Sequence, residues 1–222
     1  MAAASIHAGE AATGVRVTPD LRRAALIGLA LLAVVGLRWL AIQRGIGDPI
    51  VAGFAFGVAL LAVAVAGSGT VGARGDAWGW RHAPVDWPRV AGGAAIGLAG
   101  GAALVALALV GRALASAPSL PPVFRADLFA PWALATVVVA AGEEAVLRGV
   151  LLGRLTRSVG LTPGVLLTSL AFALMHVPFY GWRVVPLDLG VGLWLAGLRL
   201  ASRGLVAPTI AHALADLATW WL

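Results

Sequence analysis

Long apolar stretches, separated by short clusters of Arg, Pro, Gly and Trp, set the pattern of this chain. A helix crosses the hydrocarbon core of a bilayer with about 20 mostly apolar residues. Seven stretches of about that size run over approximately 24–43, 49–69, 89–114, 131–154, 161–177, 184–201 and 204–222. The pattern predicts an all-α, polytopic transmembrane bundle of about seven helices. It divides into a short N-terminal segment, 1–23, a set of helices and loops, 24–130, and a C-terminal core, 131–222. Gly93, Gly97 and Gly101 stand four apart in the third stretch, as do Gly53 and Gly57 in the second. That spacing lets helix backbones approach closely, and packing inside the bundle is preferred to a dimer interface. There is no internal repeat and no separate soluble domain.

Composition excludes several classes. The 222 residues are 60% hydrophobic and 12% charged, against about 25% charged in soluble domains. The absence of Cys removes disulfides, thiolate metal sites and Cys nucleophiles. A net charge of +6 would suggest nucleic acid in a soluble protein, but the basic residues are all Arg and lie singly between apolar stretches. They are read as topology signals, with no nucleic-acid partner. With residue 1 in the cytoplasm, the cytoplasmic ends hold Arg16, Arg22, Arg23, Arg74, Arg81, Arg89, Arg154, Arg157, Arg199 and Arg203. The opposite ends hold Arg38, Arg44, Arg112, Arg125 and Arg183, and ten against five sets the N-terminus inside. The first apolar stretch continues past Arg38 without a small-residue cleavage site, so a retained anchor is expected rather than a signal peptide. Arg38 itself is expected to snorkel to the interface. Segment 70–88, with Trp78, Trp80 and Trp87, reads as an interfacial loop, and His82 shares that reading. Segment 115–130 is Pro-rich and reads as an external loop or re-entrant edge. The Arg-only, Ala- and Gly-rich composition points to a bacterial inner membrane.

Once charges at loops and helix ends are set aside, six ionisable residues remain inside apolar stretches: Glu143, Glu144, Arg148, His176, His212 and Asp216. An Arg or Asp at a helix centre costs about 2.5–3.5 kcal/mol on insertion, so four formal charges cost on the order of 10 kcal/mol, comparable to a whole domain's stability. These groups must face one another or a watered cavity. Glu144 and Arg148 are four apart in the favourable acid-before-base order and are expected to pair. Glu143 lies about 100° away around the helix, lacks a local partner and is the candidate general base. His212 and Asp216 share a helical face, and His176 precedes a Pro and an aromatic turn. By residue counting, Glu143 is near midplane, His212 nearer the cytoplasm and His176 nearer the outside.

The order Glu-Glu-x-x-x-Arg (Glu143, Glu144, Arg148), Phe-x-x-x-His (Phe172, His176) and His-x-x-x-Asp (His212, Asp216) resembles the CPBP family of intramembrane proteases. That family includes the type II CAAX prenyl endopeptidases and bacterial Abi-type relatives. The match covers about 131–222. The resemblance implies that Glu143 and His176 activate a water for attack on a peptide carbonyl, that His212 and residue 216 stabilise the oxyanion, and that Glu144 and Arg148 hold their helix in place. The prenyl endopeptidases have Asn where this chain has Asp216. An ionised Asp216 would repel an oxyanion, so it is expected to be protonated or to orient His212. The expected mechanism uses no cofactor. Its rival is a zinc site with Glu and His ligands, in which Asp216 orients His212. The expected partners are a membrane-associated protein or peptide substrate and the lipid bilayer. Two readings from other classes compete with the endopeptidase. One is a non-proteolytic scaffold or immunity protein, and the other is an ion-coupled transporter, which the lack of repeats and of broken helices weakens.

Overall fold

The computed structural model describes residues 18–68, 86–115 and 126–222. The sequence readings at Arg16, Arg74, Trp78, Trp80, Arg81, His82 and Arg125 lie outside the described residues. All regular structure among the described residues is helical: α1 (Pro19–Gln43), α2 (Pro49–Ser68), α3 (Trp87–Ala115), α4 (Ala126–Glu144), a π-helical segment (Ala145–Leu151), α5 (Leu152–Val159), α6 (Leu161–Tyr180), α7 (Val185–Ser202) and α8 (Val206–Ala218), with a 3-10 turn at Trp182–Val184. The π segment joins α4 to α5 without a break, so the described chain forms the seven rods that the apolar pattern predicts.

Local chemistry places the helix ends. Thr18 caps α1 by accepting from the Leu21 amide at 3.1 Å, with Pro19 in the first turn. Asp48 accepts from the amides of Ile50 and Val51 at 2.8 and 3.0 Å ahead of Pro49, and Asp86 accepts from the Arg89 amide at 3.1 Å. These acceptors satisfy amides that have no partner inside the helix. Gly160 and Gly181, at φ 94° and 76°, break the chain before and after α6, conformations that favour glycine.

Among the described residues, five helices are long and apolar enough to cross a membrane: Pro19–Gln43, Pro49–Ser68, Trp87–Ala113, Leu161–Tyr180 and Trp182–Ser202. Large apolar side chains such as Leu26, Leu32, Val51, Val65, Leu107, Leu134 and Leu187 face outward, as they do in a protein whose solvent is lipid. The last rod is shorter than the 204–222 stretch suggests. Its 13 residues rise about 20 Å, less than the bilayer core.

The close approaches expected from glycine spacing occur within the chain. A Cβ on Gly57 would lie 2.7 Å from the backbone of Val138 and Val139, and one on Gly142 would lie 2.7 Å from the Gly57 carbonyl. The α2 and α4 backbones therefore touch. Along α3, Gly93 faces Val206, Gly97 faces Ala207 and Ile210, and Gly101 faces Ala211 and Leu214. This ascending order makes α3 and α8 parallel, and the start of α8 lies level with Gly93. At the same end of the bundle, Asp20 of α1 accepts from Arg154 at 3.0 Å and from Arg157 at 3.0 and 3.1 Å. Arg154 also donates to the Gly67 carbonyl, clasping α1, α2 and α5.

Candidate active site

The polar residues of the C-terminal core converge around the α4–π junction. Glu143 and Glu144 end α4, Arg148 lies in the π segment, His176 closes the last turns of α6, and His212 and Asp216 lie on α8. Glu143, Glu144, Arg148 and His212 are all buried. The three heights that residue counting spreads apart coincide, and for His212 the reason is the start of α8: Val206 packs six residues inside α3, which raises His212 by about 9 Å relative to a helix starting level with Trp87.

Glu144 and Arg148 pair as their spacing predicts, Nη1 to Oε1 at 2.8 Å. Arg148 also donates from Nη2 to the Gly192 carbonyl of α7 at 3.0 Å, and its guanidinium carbon lies 4.7 Å from the Phe172 ring centroid. Gly192 permits this. A Cβ there would meet Ser169 of α6 at 3.0–3.1 Å, so only glycine brings the α7 carbonyl this close. The same Glu144 Oε1 accepts from His212 Nδ1 at 3.0 Å. That bond assigns the Nδ1 proton and turns Nε2 toward Glu143 Oε2 at 3.7 Å and Asp216 Oδ2 at 3.5 Å.

His176 is oriented in a parallel way by a residue that sequence reading passed over. Its Nδ1 lies 3.0 Å from the Phe172 carbonyl and 3.0 Å from Asp188 Oδ2. Both neighbours are acceptors, so Nδ1 carries a proton and Nε2 is the nitrogen left to face the cluster. That Nε2 faces Glu143 Oε2 at 3.9 Å. Asp188 stands in the first turn of α7, a position read from sequence as an ordinary helix-end charge. A signal did exist, because an acid at the mouth of the stretch that follows His176 across a tight turn is placed to return to it.

Phe172 ties the set together. Its ring meets His176 edge-on at 4.8 Å and His212 at 5.4 Å, while Arg148 stacks above it. Glu143 Oε2 is buried and has no hydrogen-bond partner. The cluster thus focuses an unpaired carboxylate oxygen and two imidazole Nε2 atoms on one small volume. At 3.7 and 3.9 Å the gaps are too long for direct hydrogen bonds and suit one bridging water. Such an arrangement can take a proton from a water and can donate a hydrogen bond to an oxygen that becomes negative.

Asp216 is the outlying member, with its side chain 40% exposed. It does not orient His212 through Nδ1, since Glu144 holds that atom. Among the described residues, no group of three or more His, Cys, Asp or Glu side chains has the geometry to hold a metal ion.

No curated protein and no solved structure matches the chain. Residues 125–218 match the family described as "Type II CAAX prenyl endopeptidase Rce1-like". The match contains the whole polar cluster, Asp188 included, and agrees with the resemblance read from the residues: the segment 125–218 is similar to the Rce1-like type II CAAX prenyl endopeptidases.

Proposed function

We propose that the protein is an intramembrane endopeptidase that hydrolyses a peptide bond in a membrane-associated substrate with a water activated by Glu143 and His176. The observation that carries this reading is the focus of Glu143 Oε2, His176 Nε2 and His212 Nε2 on one point, at 3.7 and 3.9 Å from the carboxylate.

A water between Glu143 and His176 loses its proton to the carboxylate as it attacks the carbonyl, and the proton then passes to the leaving amine. His176 accepts a hydrogen bond from that water through Nε2, its other nitrogen being tied to Asp188. His212 lies among the carboxylates of Glu143, Glu144 and Asp216. In its doubly protonated form it donates Nε2–H to the oxyanion. Asp216 then acts through His212, balancing its charge from the exposed side, which removes the conflict between an acidic residue and an oxyanion. Arg148 neutralises Glu144 and holds it against His212. No step requires a metal. The zinc rival is distinguished by dialysis against a chelator, which would abolish cleavage that added zinc restores.

The N-terminus is placed in the cytoplasm and the protein in a bacterial inner membrane, on the asymmetry of its Arg residues and on its composition. The test is peptide cleavage by protein reconstituted in lipid nanodiscs, followed by mass spectrometry. His176→Ala and His212→Ala are expected to lose cleavage while keeping the folded elution profile and helicity. Normal processing by either variant would overturn the reading in favour of a scaffold.

A further inference from the structure

Arg38 is an intramembrane cation that the mechanism does not use. It stands near the end of α1, five residues before Gln43. It is half-buried, with its guanidinium carbon 4.3 Å from the Phe56 ring centroid and 5.2 Å from that of Phe179. Among the described residues no carboxylate pairs with it. Stacking on aromatic faces holds a guanidinium but leaves its donors and its charge available. An uncompensated charge at membrane depth marks a position whose partner comes from outside the fold.

The path from Arg38 leads to the site. The ring of Phe179 lies 6.3 Å from that of Tyr180, Tyr180 lies 5.9 Å from the ring of His176, and His176 faces Glu143 at 3.9 Å. Tyr180 lies within electrostatic reach of both Arg38 and Glu143.

We propose that Arg38 binds the C-terminal carboxylate of the peptide substrate while the bond to be cut lies over Glu143 and His176, an inference that rests on the endopeptidase reading. A peptide that enters an apolar bundle by its chain end brings one obligatory anion, its α-carboxylate. The planar guanidinium fork matches a carboxylate in a bidentate pair. A tail of a few residues, each spanning about 3.3–3.6 Å when extended, bridges the short series of rings between the two positions. Arg38 thereby measures the distance from chain end to cleavage site.

The test compares an S-farnesylated Cys-Val-Ile-Ala peptide, as the free acid or the C-terminal amide, in phosphatidylcholine nanodiscs. Binding is read by fluorescence anisotropy and cleavage by mass spectrometry. The wild-type protein is expected to prefer the acid by about 10- to 100-fold in both Kd and kcat/KM, the size of a charge-assisted hydrogen-bonded pair. In Arg38→Gln the ratio falls to about one. Arg38→Lys keeps the stem and the charge that pack on Phe56 and Phe179, guards against misfolding, and gives an intermediate ratio because it lacks the fork. A wild-type ratio near one, or the full wild-type ratio in either variant, would overturn the proposal. So would a ratio near one accompanied by Arg38-dependent binding of phosphatidylglycerol, which would assign the cation to a lipid phosphate. If the wild-type protein binds the acid preferentially but cuts neither peptide, the endopeptidase reading fails and the Kd ratios alone decide the role of Arg38.

Discussion

One oxygen of Glu144 serves two partners, taking Arg148 Nη1 at 2.8 Å and His212 Nδ1 at 3.0 Å. Removing the cation leaves that buried carboxylate to His212 alone, and deleting one partner of a buried pair costs up to about 3–5 kcal/mol. Arg148→Met is therefore expected to lower stability by that order in denaturant titration of the detergent-solubilised protein. The double variant Glu144→Leu/Arg148→Met should lose less than the two single changes added together, and additive losses would show that the pair is not coupled. Asp188 acts on His176 as Glu144 acts on His212, by holding its Nδ1–H and orienting the ring. Asp188→Asn keeps the shape but offers an amide in place of one acceptor, and supporting groups of this kind are worth about 10- to 100-fold in activity. That fall is expected in kcat with KM little changed, and an unaltered kcat would remove Asp188 from the positioning set. The Glu144–Arg148 pair was legible in the sequence because it is local, four residues apart on one helix. Asp188 was not, because its partner lies on another helix and a charge in a first turn normally faces solvent.

At the level of the helices, glycine spacing was the most informative signal, and it identified two crossings. Gly57 meets the Val138–Val139 backbone and Gly97 meets the Ala207 carbonyl, with an added Cβ 2.7 Å away in both cases. Backbone atoms cannot rotate aside, so Gly57→Ala must separate α2 from α4. The cost of such overpacking is about 1–3 kcal/mol, and because α4 carries Glu143, activity should fall with stability. Gly28→Ala, where an added Cβ meets nothing within 4 Å, is the control expected to be no less stable than the wild-type protein in unfolding titration. The π segment at Ala145–Leu151 was invisible to a periodicity argument. Apolar residues surround Arg148 on all sides, so no hydrophobic stripe registers the change from i→i+4 to i→i+5 bonding. The early start of α8 was hidden for a related reason. Hydropathy counts apolar residues but does not say how deep in the bundle the first of them lies, and that depth brings His212 level with Glu143.

For the molecule as a whole, the apolar pattern and the scarcity of charge were enough to indicate a helical membrane protein with a polar centre. The pairing of that centre with Asp188, and the placement of Arg38 over Phe56 and Phe179, needed three dimensions. The two ends of the bundle are chemically distinct. One carries the Asp20–Arg154–Arg157 clasp, and the other carries the α6–α7 turn with Tyr180 and Trp182 exposed. The absence of native cysteine makes orientation directly measurable. In spheroplasts, an impermeant maleimide is expected to label Trp182→Cys and to leave Ser158→Cys unlabelled until the membrane is opened. The reverse pattern would invert the topology. The central claim is that Glu143 makes this bundle a peptidase, and it is tested most directly by single-turnover cleavage of a farnesylated peptide by wild-type and Glu143→Gln protein side by side in nanodiscs. The account predicts a rate loss of about 10²- to 10⁴-fold, the usual contribution of a positioned general base, with peptide binding retained. A Glu143→Gln protein that cleaves at the wild-type rate would contradict it.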